Sequence, residues 1–215
     1  MKKDKKTNKR GRPVDEGKRD EILDVAGKLF MDKGFHSTSM DDIAQFAGMS
    51  KLTLYRRFPD KQSLFVSVVE EKCQSAMPND LYQGTKETNP RIIIQGFCLA
   101  FFSLIMSNDA IRLYRMMLGE AAQSPEMTKL FYNQGPKRVK KILDEIISDF
   151  KKRKILKTND VIEARNILLS LFTGSEIYMR ALLNIGKKPS RSEIEKFVKK
   201  TADFFVRNYL CEKLN

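Results

Sequence analysis

The sequence predicts an all-α chain in two parts, a small N-terminal helix-turn-helix unit followed by a larger helical domain. Three observations carry this expectation. Apolar residues recur at helical spacing in most segments, and no stretch alternates convincingly as a strand would. Residues 39–65 read as a capped helix, a glycine turn, a second capped helix and the start of a third. A segment rich in Asn, Gly, Thr and Pro at 78–89 then marks the boundary. The expected division is a basic arm at 1–14, the helix-turn-helix unit at 15–75 and the second domain at 76–215.

The arm is polar, charged and without periodicity, as disordered segments are. Within it, Lys9-Arg10-Gly11-Arg12-Pro13 matches the core of an AT-hook. There Arg10 and Arg12 would enter a narrow A·T minor groove, and the glycine permits close approach. A generic polycationic tail held near phosphates is the competing reading. The first helix is expected over about 16–33, with Ile22, Val25, Ala26, Leu29 and Phe30 on one face and Gly34 as its stop.

Ser39 and Asp42 have the spacing of a capping box, and Met40, Ile43, Ala44 and Ala47 fall on one face behind it. Gly48 supplies a left-handed turn, and Ser50 caps a helix over Lys51–Phe58 that turns Leu54 and Phe58 inward. Small residues at Ala44 and Gly48 allow two helices to cross closely and steeply, as a helix-turn-helix requires. Pro59-Asp60-Lys61 ends the second helix and caps a third. The formal net charge of +13 is unevenly placed: residues 13–72 carry nine basic and eleven acidic side chains. Yet over residues 50–61 Lys51, Arg56, Arg57 and Lys61 face a single acid, Asp60. Clustered positive charge on one helix is the footprint of a groove-facing element.

The run Thr38-Ser39, Asp42-Ile43-Ala44, Ala47-Gly48-Met49-Ser50-Lys51-Leu52-Thr53-Leu54-Tyr55-Arg56, Phe58-Pro59, Lys61 and Leu64-Phe65 resembles the DNA-binding domain of the TetR family of bacterial repressors. The likeness covers roughly residues 15–75 and departs mainly at Leu52, where that family usually has glycine. It implies that Lys51, Leu52, Thr53 and Arg56 face base edges, behind the cap Ser50. Ser39, Tyr55, Arg57 and Lys61 would face phosphates, aided by two helix N-termini. Leu52 suits a thymine methyl and Arg56 a guanine.

Beyond the boundary, helices are expected over 90–106, 110–123, 125–133, 136–154, 160–185 and 191–210. Ser190 with Glu193 reads as a capping box, and Gly135-Pro136 as a break. The segment Leu113–Ile142 resembles the effector domains of the AefR-like branch of the same family. The last two helices carry more apolar residues than one buried stripe needs. The resemblance implies that they pair with a second copy as a four-helix bundle. Phe97, Phe101, Phe102, Tyr114, Met117, Glu120 and Tyr178 are the candidate lining of an effector pocket, against the alternative of an ordinarily packed core.

His36 is the only histidine, which excludes a multi-histidine metal site, and its place at the end of the first helix argues against a His-based triad. There is no P-loop, Rossmann fingerprint or nucleophile elbow. Cys73, Cys98 and Cys211 are too few and scattered for a disulfide framework or zinc site. The apolar stretch Ile92–Met106 is shorter than the roughly 20 residues of a membrane span and reads as a core helix. The N-terminus lacks the apolar run of a signal peptide. These features point to a cytoplasmic, non-enzymatic protein without cofactor, metal or membrane, and the resemblance implies a dimeric, sequence-specific transcriptional repressor released by a small-molecule effector. Its expected partners are a palindromic operator in double-stranded DNA, a second copy of itself and a small apolar or amphipathic effector. The alternative is a DNA-organising or partner-recruiting protein that uses the same domain without an effector.

Overall fold

A computed structural model describes residues 16–77 and 89–211, and the chain divides into two compact units at Phe65/Val66. The first unit holds α1 (Glu16–Lys33), α2 (Met40–Phe46), α3 (Lys51–Arg57) and the start of α4 (Lys61–Ala76). Ile22, Leu23, Ala26 and Phe30 of α1 are buried, and the rings of Phe30, Phe35 and Phe65 meet pairwise at 5.5–5.6 Å. Gly34 (φ +86°) ends α1, its N–H donating to Phe30 O at 2.9 Å. Buried Thr38 closes the next turn, its hydroxyl lying 2.8 Å from Gly34 O and 3.1 Å from Leu29 O. A buried hydroxyl without such acceptors would destabilise the unit.

The second unit contains the rest of α4, then α5 (Pro90–Ile105), α6 (Asn108–Glu120), α7 (Pro125–Gln134) and α8 (Pro136–Lys152). It ends with α9 (Val161–Thr173), α10 (Glu176–Leu183) and α11 (Arg191–Tyr209). No strand is formed among the described residues; a lone antiparallel bridge joins Leu156 to Leu210. The core lies between α5, α8, α9 and α11, where Phe97, Phe102, Phe150, Phe172 and Phe205 are fully buried. On α8 the buried residues Val139, Ile142, Leu143, Ile146, Ile147 and Phe150 follow the 3.6-residue period. Gly135 separates α7 from α8, as the sequence predicts, and a Cβ there would lie 3.7 Å from Cys73 Sγ.

The helix expected over 160–185 is instead two. Gly174 ends α9 and Ser175 caps α10, its hydroxyl donating to Phe172 O (2.6 Å) and accepting from Tyr178 N–H (3.3 Å). A serine side chain that satisfies the backbone locally competes with continuation of the helix. Thr173-Gly174-Ser175 is therefore a break.

Ile94, Phe97 and Cys98 bury α5 in this core, and no single described helix is long and apolar enough to cross a membrane. The cysteines are free, and burial pushes the thiols of Cys73 and Cys98 up.

Candidate nucleic-acid interface

Two short helices this small have little intrinsic stability, so their caps and buried anchors decide the geometry. Ser39 Oγ accepts from Asp42 N–H (3.0 Å), and Asp42 Oδ2 accepts from Ser39 N–H (3.2 Å), completing the predicted box. Hydrogen bonding from the Ser39 side chain, and then from its backbone N–H, holds the Asp42 carboxyl below its usual range. Gly48 adopts φ +62°, the left-handed conformation the turn requires, and Met49 N–H returns to Ala44 O at 3.0 Å. Ser50 Oγ accepts from Thr53 N–H (3.2 Å) and lies 2.8 Å from Thr53 Oγ1. Leu54 and Phe58 are buried and fasten α3 to the unit. The opposite face presents Lys51, Leu52, Thr53, Tyr55 and Arg56 to solvent, while Arg57 is half-buried. Leu52 is 62% exposed, unusual for an apolar side chain on so small a helix.

Two cations have partners that sequence reasoning missed. Lys51 Nζ lies 2.6 Å from Asp41 Oδ2 on α2, and this bond raises the lysine's pKa. Lys61, expected to hold a phosphate, donates to Phe35 O (2.8 Å), His36 O (3.2 Å) and Thr38 O (2.8 Å) in the chain alone. An ammonium has three protons, so this arrangement commits all of them to the segment between α1 and α2. The only sequence signal for either pairing was the presence of Asp41 one residue before the Asp-Ile-Ala run. Arg10 and Arg12 lie outside the described residues, as does residue range 78–88 of the expected boundary.

In the second unit Phe97, Phe101 and Phe102 join Phe172 and Phe197 in one aromatic cluster with centroids 5.0–5.9 Å apart. Met117 and Tyr178 are buried, and burial pushes the Tyr178 phenol up to about 12. Tyr114 is partly exposed against Phe131, and Glu120 is half-buried at the end of α6. None of these seven residues lines a cleft of about 910 Å³ that opens between α6, α10, the loop 184–190 and α11. Arg115 and Arg180, which do line it, were not singled out by the sequence.

The profile of the bacterial regulatory proteins of the tetR family matches residues 22–68, which contain the helix-turn-helix. The profile of the AefR-like transcriptional repressor C-terminal domain matches residues 93–211, more than half the chain. The HTH-type transcriptional activator FasR of Mycolicibacterium smegmatis is 33% identical over 100 residues, which span 46% of this chain and 45% of that one. The match thus spans less than half of that relative's length. The solved structure of the flavonoid-responsive regulator FrrA is 27% identical, with a TM-score of 0.69 over 92% of this chain and 99% of that one. A TetR-family regulator from Mesorhizobium loti shares the fold at 23% identity and TM-score 0.72, covering 93% of this chain and 100% of that one. With its capped DNA-binding motif and helical second unit, the chain belongs to the TetR family of transcriptional regulators.

Proposed function

We propose that the protein is a homodimeric regulator that places α3 in the major groove of each half of a two-fold operator and is released by a small-molecule effector. The observation that carries this reading is the exposed row Lys51, Leu52, Thr53, Tyr55 and Arg56 on a helix pinned by buried Leu54 and Phe58. Groove-facing side chains are useful only on a fixed element, because base readout tolerates little misplacement. Arg56 and Lys51 are assigned to base edges, and Tyr55, Arg57 and Ser39 to phosphates. Two copies would read half-sites one or more helical turns apart, roughly 34–36 Å per turn. Exposed Ile162 and Ile167 on α9 and Phe204 on α11 support self-association through these helices.

The open cleft in the second unit supports effector control over the effector-free alternative. An effector acts only if it binds the DNA-incompetent arrangement better than the competent one. The matched domain profile describes repressors, whereas one relative is named an activator.

The test is selection of operators from random DNA, followed by anisotropy titration of the winner with wild type and Arg56→Ala. The expected result is a palindromic consensus and, in the variant, lost preference at one position per half-site. Loss of a bidentate contact costs about 1–3 kcal/mol. An unchanged consensus for Arg56→Ala would remove it from base reading.

A further inference from the structure

The cleft of the second unit combines two chemistries. Its lining includes the apolar residues Ile111, Ile177, Ile185, Ile194 and Phe197. It is also cationic: Arg112, Arg115, Arg180, Lys187 and Lys188 outnumber the carboxylates Glu176 and Glu193. Glu193 is engaged in the α11 cap, its Oε2 accepting from Ser190 N–H and Ser190 Oγ–H at 2.7 Å each. The volume of about 910 Å³ suits a small organic molecule, for which pockets run roughly 300–1,000 Å³.

The cations are held at the cleft by the surrounding backbone. Arg115 donates from Nε to Leu182 O and from Nη2 to Ala181 O, both at 2.6 Å, using two of its five N–H groups. Asn184 (φ 58°) and Gly186 (φ 73°) turn the loop back on itself. The loop backbone passes so close to Arg180 that a Cβ at Gly186 would collide with its guanidinium. Lys188 bonds to Asn108 Oδ1 and straps the loop to the first turn of α6. Five cations against two carboxylates leave the lining net positive, so an anion joined to an apolar body matches it better than an uncharged apolar ligand.

We propose that this cleft binds an amphipathic organic anion, and that such an anion is the effector on which the response proposed above rests. Its acidic group meets Arg180 and Lys187, and its apolar body lies against Ile177, Ile185 and Phe197. Phe197 is shared with the aromatic cluster, its ring centroid 5.0 Å from that of Phe102, so the apolar floor of the cleft is the edge of the core.

The probes are anilinonaphthalene sulfonate and N-phenylnaphthylamine, the same scaffold without the sulfonate, titrated by fluorescence into the full-length protein. The sulfonate binds at least tenfold more tightly. The double variant Arg180→Gln/Lys187→Gln weakens the sulfonate about tenfold, as loss of charge-assisted contacts should, and leaves the uncharged probe unchanged. Ile185→Asn, at a site 55% exposed and so harmless to folding, weakens both. Equal affinity for the two probes, or a double variant that keeps wild-type affinity for the sulfonate, overturns the proposal. Operator release separates the two claims. Sulfonate binding as described without release keeps the site and overturns the effector response. Release by compounds that the double variant binds as well as wild type overturns this site and keeps the response.

Discussion

Lys51 and Lys61 are both lysines of the DNA-binding unit, and their surroundings give them different tasks. Lys61 spends its protons on three backbone carbonyls that would otherwise turn to water. Lys61→Ala should therefore lower stability by about 1–3 kcal/mol in urea unfolding, the range for charge-assisted bonds. The salt slope of operator binding should stay unchanged, whereas loss of a phosphate contact would reduce it by about one unit. Lys51 sits in an exposed pair with Asp41, and such pairs contribute little to stability. To reach DNA it must leave that carboxylate, whose own charge repels phosphates. Asp41→Ala should leave the melting temperature essentially unchanged and tighten operator binding at low salt, read by anisotropy. Weaker binding would mean that Asp41 positions Lys51 rather than competes for it.

At the scale of elements, caps and turns were legible from local chemistry and one break was not. The Ser39–Asp42 and Ser190–Glu193 boxes, the Gly48 turn and the Gly135 interruption depend on residues within four positions of each other. The break at Gly174 escaped because the apolar rhythm runs through it: Leu168, Phe172, Tyr178 and Leu182 stay in phase across the gap. Periodicity reports which face is buried, and a face can stay in register while the backbone is interrupted. Ser175→Ala should cost about 1 kcal/mol in thermal or urea unfolding, the usual loss for an N-cap. A neutral result would show that packing of Tyr178 alone sets the start of α10.

For the whole molecule, helical architecture and the exposed face of α3 were legible because each is written in contiguous residues. The cleft was not, since α6 and the 184–190 loop come together from about seventy positions apart and the sequence pairs neither with the other. Of the aromatic residues expected to line a pocket, Phe97, Phe101, Phe102 and Tyr178 belong to the core cluster and Tyr114 is partly exposed. Self-association is the remaining property at this scale. Phe204 is 44% exposed on α11, so Phe204→Glu should leave the protomer folded while shifting it to monomer by light scattering. Operator affinity should fall with it, because the second half-site would no longer be bound at high effective concentration. A dimer that persists in Phe204→Glu would place the contact elsewhere.

The staple at Lys61 also has a mechanical consequence. It sits in the first turn of α4 and grips the segment leading into α2. At the other end of the same helix, Lys72 pairs with Asp109 of α6 (3.2 Å), and Met77 O accepts from Arg138 of α8 (2.6 Å). Helix α4 is thus fastened near its first turn within the first unit and near its last turn within the second. A helix fastened at its ends frays less, so amide exchange in its terminal turns should be slow.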